Sequence, residues 1–129
     1  MLRDTDAMVT IAVKDAGAAG KFYEETLGFE RFGPDDPDMR MYRSGSAQIL
    51  VYESQYAGTN EATAATWNVG NELEEIVRTL EGKGVKFEHY DDLPEATRNG
   101  SIHSAKGWAG AWFKDPDGNI LALMRGGPS

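Results

Sequence analysis

The chain contains no cysteine and only two histidines, His89 and His103, among its 129 residues. Without cysteine there is neither a disulfide framework nor a thiolate metal site, and a reducing, cytoplasmic setting is the expectation. No apolar run approaches the roughly 20 residues that a membrane helix needs. The opening stretch, residues 1–10, lacks the apolar core of a signal peptide. Basic side chains are also short: 13 Lys and Arg stand against 21 Asp and Glu, a net charge of -8. The deficit is spread along both halves and no basic patch interrupts it. A negative surface repels phosphate backbones, which speaks against a nucleic-acid partner.

What remains is enough for one ordinary domain, with 40% hydrophobic residues to build a core. Residues 8–13 alternate as a strand, with Val9, Ile11 and Val13 on one face. Asp15 is placed to cap a helix over residues 16–27, and Gly28 to end it. Three short strands are expected at about 29–33, 39–43 and 47–53, with the run Pro34 to Asp38 as the first turn between them. Residues 54–63 are polar and read as a linker.

The order then repeats. Residues 64–69 read as a strand, and Asn71 is placed to cap a helix through Glu81. Leu73, Ile76, Val77 and Leu80 form its apolar stripe. Further strands are expected at 85–89, 108–114 and 120–125, the last two joined by the turn Asp115-Pro-Asp-Gly-Asn119. A shift of 56 residues pairs Met8 with Ala64, Thr10 with Thr66 and Val13 with Val69. The chain therefore reads as an α+β protein of two β-α-β-β-β modules, 7–53 and 64–126, within a single domain.

Three motifs stand in order along this pattern: Ile11-Ala-Val-Lys-Asp15, then Phe22-Tyr23 with Leu27-Gly28-Phe29, and Trp112-Phe-Lys-Asp-Pro-Asp-Gly-Asn-Ile120. With the duplication, they resemble the vicinal-oxygen-chelate superfamily, which includes glyoxalases, bleomycin-resistance proteins and extradiol dioxygenases. The resemblance implies curved mixed sheets around a shared cleft, usually in a homodimer. It also implies, for catalytic members, one divalent metal held by His, Gln or Glu at four strand positions. Carried over to this chain, those positions fall on Met8, Leu50, Ala64 and Ala122. None is a nitrogen or oxygen donor for a hard or borderline cation. Their neighbours Val9, Val51, Ala65 and Leu123 are no better, so a one-residue slip does not restore a site. No metal and no other cofactor is expected.

Side chains alternate along strands, so the residues sharing a face with those positions should line the cleft. They include Thr10, Gln48, Tyr52, Thr66, Asn68 and Met124, beside Leu50 and Ala122 themselves. Trp108 and Trp112 are assigned to the same side, and Trp67 to the core. Such a lining suits a flat or apolar organic ligand. The expected function is binding of a small apolar or aromatic molecule, without metal.

Two other readings stay open. One is a lyase, isomerase or dioxygenase whose ligands come from unusual places such as His103, Glu53, Gln48 or Asn68. A metal-free variant of it would use His103 or Tyr52 for proton transfer. The other is a structural protein whose cleft is filled by its own side chains. His103 lies in a glycine- and serine-rich stretch that reads as a candidate flap over the cleft, within residues 91–107. Asp91, Asp92 and Glu95 read as a solvated charge run.

Overall fold

A computed structural model describes residues 1–93 and 96–126; Glu95, counted above in a charge run, lies outside them. The chain divides into two compact units: residues 1–59 with 116–119, and residues 60–115 with 120–129.

The first unit opens with strand β1 (Val9–Val13) and helix α1 (Ala16–Lys21). Asp15 caps α1 as its side chain accepts the Ala18 N–H at 2.9 Å. The helix does not run evenly to Leu27. It widens into a π-helical turn, Phe22–Thr26, in which the Leu27 N–H reaches the Phe22 carbonyl at 3.0 Å. Strands β2 (Glu30–Asp36), β3 (Met39–Ser44) and β4 (Ala47–Glu53) follow. They form a sheet in the order β1-β4-β3-β2, with β1 and β4 parallel and the other pairs antiparallel.

The turn expected from Pro34 onward starts later. Pro34 lies inside β2, beside a break in register between Phe32 and Asp36 where Gly33 adopts φ +83°. An edge strand tolerates a proline because no neighbour needs its missing N–H. One face of this sheet is dry: Ile11, Val13, Ile49, Val51 and Tyr42 are buried with Ala16, Ala19 and Tyr23 of the helical segment. The Tyr23 ring stacks between Phe29 and Tyr42, each 6.2 Å away.

The second unit begins with β5 (Thr63–Asn68) and α2 (Leu73–Gly82). Asn71 does not cap the helix. A short 3-10 turn, Gly70–Glu72, leads in, and the Asn68 side chain accepts the Gly70 N–H at 3.3 Å. Leu73, Val77 and Leu80 bury the expected stripe.

Strands β6 (Phe87–Glu88), β7 (Thr97–Asn99), β8 (Ile102–Ala105), β9 (Trp108–Lys114) and β10 (Ile120–Gly126) complete the unit. β5 pairs in parallel with β10, β10 with β9, and β9 with both β6 and β8. The path β5-β10-β9-β6 thus repeats the order of the first sheet. The β7–β8 hairpin is an insertion that extends it. The stretch expected as a flap is therefore sheet over residues 97–105, because β8 hydrogen-bonds to β9 and has lost the freedom of a loop. Among the described residues no helix is long and apolar enough to cross a membrane.

Candidate functional site

The site is built on β9, whose sequence Trp108-Ala-Gly-Ala-Trp112-Phe113 alternates sharply. Ala109, Ala111 and Phe113 are buried on the α2 side with Leu121 and Leu123. The register places Trp112 opposite Ala122 on one side and Glu88 on the other, and Gly110 opposite both Met124 and His103. Residues directly opposite share a face, so Trp108, Gly110, Trp112, His103, Ala122 and Met124 lie together on the face away from α2.

There the aromatic rings form a continuous cluster. Trp112 meets Trp108 edge-to-face at 6.2 Å, His103 at 5.2 Å and Tyr90 at 5.5 Å. Gly110 lies under the rings: a methyl there would touch Trp112 and Trp108 at 3.5 and 3.6 Å and press on the Leu123 carbonyl at 3.3 Å.

His103 is wholly buried within this cluster. Its Nε2 accepts the backbone N–H of Tyr90 at 2.8 Å. That bond fixes the neutral tautomer with the proton on Nδ1. The Gly110 carbonyl lies near enough to favour protonation, yet among the described residues no acceptor meets Nδ1 in hydrogen-bond geometry. Burial dominates and holds the imidazole below its ordinary pKa, with the nearby Arg98 acting the same way and Asp91 opposing. The lone pair a general base would need is already engaged. Burial, seconded by the Glu88 carboxylate, pushes the Tyr90 phenol above its usual range.

Beside the cluster lies an open cleft of about 450 Å³, entirely within the second unit. Trp112, Tyr90, Ile120 and Leu93 supply its apolar walls, with Thr63 alongside. Glu61 and Asp92 form its charged rim. The volume falls in the range of small-molecule sites, as does the mixture of aromatic wall and few polar groups.

The residues expected from alternation are distributed as follows. Thr66 and Asn68 are exposed on β5 and Met124 is half-buried on β10, whereas Ala122 is only 2% exposed and offers a ligand almost no surface. The Asn68 amide is already engaged, accepting from Gly70 and donating to the Gly126 carbonyl at 3.4 Å. In the first unit Thr10, Gln48, Leu50 and Tyr52 share one face of their sheet, where Leu50 is half-buried and the others are exposed. Of the ten, only Trp112 lines the 450 Å³ cleft. Tyr90, Leu93, Asp92 and Glu61 stand in non-repeating segments, outside the reach of a strand-alternation argument. The one pointer to Tyr90 is its aromatic side chain at a strand exit.

Three of the four donors that the metal-dependent reading names have other partners, while Gln48 is exposed. Glu53 accepts the Ala16 N–H at 3.0 Å, His103 accepts from Tyr90, and Asn68 holds the end of β5. At the positions implied for a metal, Met8 is exposed, Leu50 half-buried, Ala64 exposed and Ala122 buried, and only Met8 carries even a soft thioether donor. Among the described residues no group of three or more His, Asp or Glu side chains gathers as a cation site. This donor set does not fit the divalent metal that the resemblance implies.

The first unit holds a separate polar cluster. Tyr42 donates its phenol proton to Glu24 Oε2 at 2.7 Å, and Arg40 Nε donates to the Ala16 carbonyl at 3.0 Å. Burial, then the Glu24 carboxylate, raises the Tyr42 pKa strongly.

The profile described as Glyoxalase/Bleomycin resistance protein/Dioxygenase superfamily matches residues 7–123. No curated protein matches the chain significantly in sequence. Several solved structures share the fold. A glyoxalase family protein from Enterococcus faecalis is 22% identical with a TM-score of 0.72, over 97% of this chain and 100% of that one. Lactoylglutathione lyase from Agrobacterium tumefaciens is 18% identical with a TM-score of 0.70, over 96% of each chain. The fosfomycin resistance protein FosX from Listeria monocytogenes, complexed with Mn(II) and sulfate, is 17% identical with a TM-score of 0.69, over 96% of this chain and 91% of that one. At such identities the likeness carries the fold alone.

Proposed function

This chain belongs to the glyoxalase/bleomycin resistance protein/dioxygenase superfamily, and on that premise we propose that it binds a small apolar or aromatic molecule rather than transforming one on a metal. The observation that carries this reading is the cleft of about 450 Å³ walled by Trp112 and Tyr90. An aromatic ligand there stacks on or against two rings that are already held in place. Trp112 is fixed by contacts with Trp108 and His103, and the Tyr90 ring by contacts with His103 and Trp112. A site formed before the ligand arrives loses little entropy on binding. The open volume beside Trp112 favours binding over a cleft filled by its own side chains.

The reading includes the absence of a resident metal, supported by the side chains at Met8, Leu50, Ala64 and Ala122. It also includes a homodimer, supported by the half-buried apolar face of the first sheet, where Met41 pairs with both Phe32 and Leu50. A cytoplasmic setting fits the cysteine-free composition. Tryptophan fluorescence during titration with a library of small aromatic compounds tests the binding reading. Saturable quenching or a spectral shift with at least one compound class is expected, and its loss in Trp112→Ala. Silence across several hundred diverse compounds would contradict it.

A further inference from the structure

The cleft beside Trp112 carries charge of one sign. Among the described residues, apart from the Tyr90 phenol, its ionisable side chains are Glu61 and Asp92, and no Lys, Arg or His lines it. Among the described residues, two neighbouring carboxylates of the same unit have cationic partners. Asp91 receives two bonds from Arg98, at 2.7 and 3.2 Å, and Glu88 lies 3.4 Å from Lys114. Glu61 and Asp92 make no ion pair or hydrogen bond with any described residue. Among the described residues, both carboxylates that line the aromatic cleft are thus without a counter-charge, as are Glu72 and Glu75 of the helical segment, which line no such aromatic wall.

Each ligand class meets this arrangement differently. A neutral apolar ligand would strip water from the carboxylates and return nothing for it. An anion would be repelled by both. A cation carrying an apolar group gains from the carboxylates and from the electron-rich ring faces of Trp112 and Tyr90, while its apolar part meets Leu93 and Ile120. The chain's net charge of -8 also favours encounter with cations.

We infer that the ligand of this cleft is an organic cation, an amine or quaternary ammonium bearing an aromatic or aliphatic group, recognised by Glu61 and Asp92 together with Trp112 and Tyr90. The inference rests on the binding role proposed above and specifies its ligand class.

Three probes of similar size separate the cases: benzyltrimethylammonium, benzyl alcohol and phenylacetate, each titrated against the full chain by tryptophan fluorescence and by ligand-observed NMR. The cation is expected to bind about tenfold more tightly than the alcohol, with phenylacetate weakest. That advantage should shrink as salt is raised, because rim charges are screened. In the double variant Glu61→Gln, Asp92→Asn the affinity ratio of cation to alcohol should fall close to one. Both residues are exposed, and a thermal melt establishes that the variant is folded. Equal binding of cation and alcohol by the unaltered chain would overturn this inference and leave small-molecule binding standing. An undiminished preference in the folded double variant would overturn the assignment to Glu61 and Asp92. No binding of any of the three would overturn the inference and count against the binding role itself.

Discussion

The backbone N–H of Tyr90 donates to His103 Nε2 at 2.8 Å, joining a residue that lines the cleft to a wholly buried imidazole. The bond needs a neutral ring, and the folded protein accordingly holds the His103 pKa below the ordinary 6.5. In the unfolded chain the imidazole takes up its proton at its ordinary value, so below about pH 6.5 the unfolded state binds more protons than the folded one. Stability from this group is complete above that pH and falls as the solution is acidified through 6.5 towards the lowered folded value. Urea melts across about pH 5 to 8 should show the decline, and His103→Gln should flatten it. The same slope in the variant as in the unaltered chain would remove His103 as the cause.

Trp112 shields that imidazole as well as facing the cleft. Trp112→Ala should abolish the fluorescence response to ligands and destabilise the chain by about 2–3 kcal/mol, below the full cost of a buried tryptophan because the ring is half-exposed. With the ring gone, water reaches His103 and its pKa should move back up towards 6.5, which NMR titration of the imidazole protons reads directly. An unmoved pKa would mean that other groups do the shielding.

Much of this was legible from alternation alone. The strand faces carrying Ile11 and Val13, Ile49 and Val51, and Leu121 and Leu123 are buried as period-two reasoning expects, and Leu73, Val77 and Leu80 bury the predicted stripe. Asp15 caps its helix as its position suggests. Three features were hidden for separate physical reasons. Pro34 looks like a turn residue, but an edge strand with a break in register accommodates it. Asn71 has the chemistry of a cap, yet Asn68 and the 3-10 turn take over the helix entry. The cleft walls at Tyr90 and Leu93 sit in an irregular segment, and their proximity to Trp112 follows from the β6–β9 pairing, which no local pattern encodes.

Two glycines in helices should respond in opposite directions to alanine. A methyl at Gly20 would lie 3.0 Å from Glu24 Oε2, 3.1 Å from Arg40 Nε and 3.2 Å from the Tyr42 hydroxyl, inside a partly buried cluster that already makes its hydrogen bonds. Crowding there outweighs the gain in helix propensity of about 1 kcal/mol, so Gly20→Ala should lower the melting temperature. Gly82 at the end of α2 has nothing within 4 Å of the added methyl, and Gly82→Ala should raise it. Tyr42→Phe should cost about 1 kcal/mol by leaving Glu24 Oε2 without its donor. A stabilised Gly20→Ala variant would show that the cluster is looser than its distances imply.

Elemental analysis of protein purified without chelator should find no stoichiometric divalent metal, because Met8, Leu50, Ala64 and Ala122 offer no nitrogen or oxygen side-chain donor. Metal near one equivalent that survives dialysis would require a donor set elsewhere in the chain or its assembly.

Binding in the aromatic cleft and independence from metal are tested together by one titration. Chelator-treated protein is titrated with the best-bound aromatic compound, followed by tryptophan fluorescence, before and after Mn(II) is returned. The same saturable response is expected in both conditions, and none in Trp112→Ala. A response that appears only with Mn(II), or one that persists undiminished without Trp112, would contradict metal-free binding in this cleft.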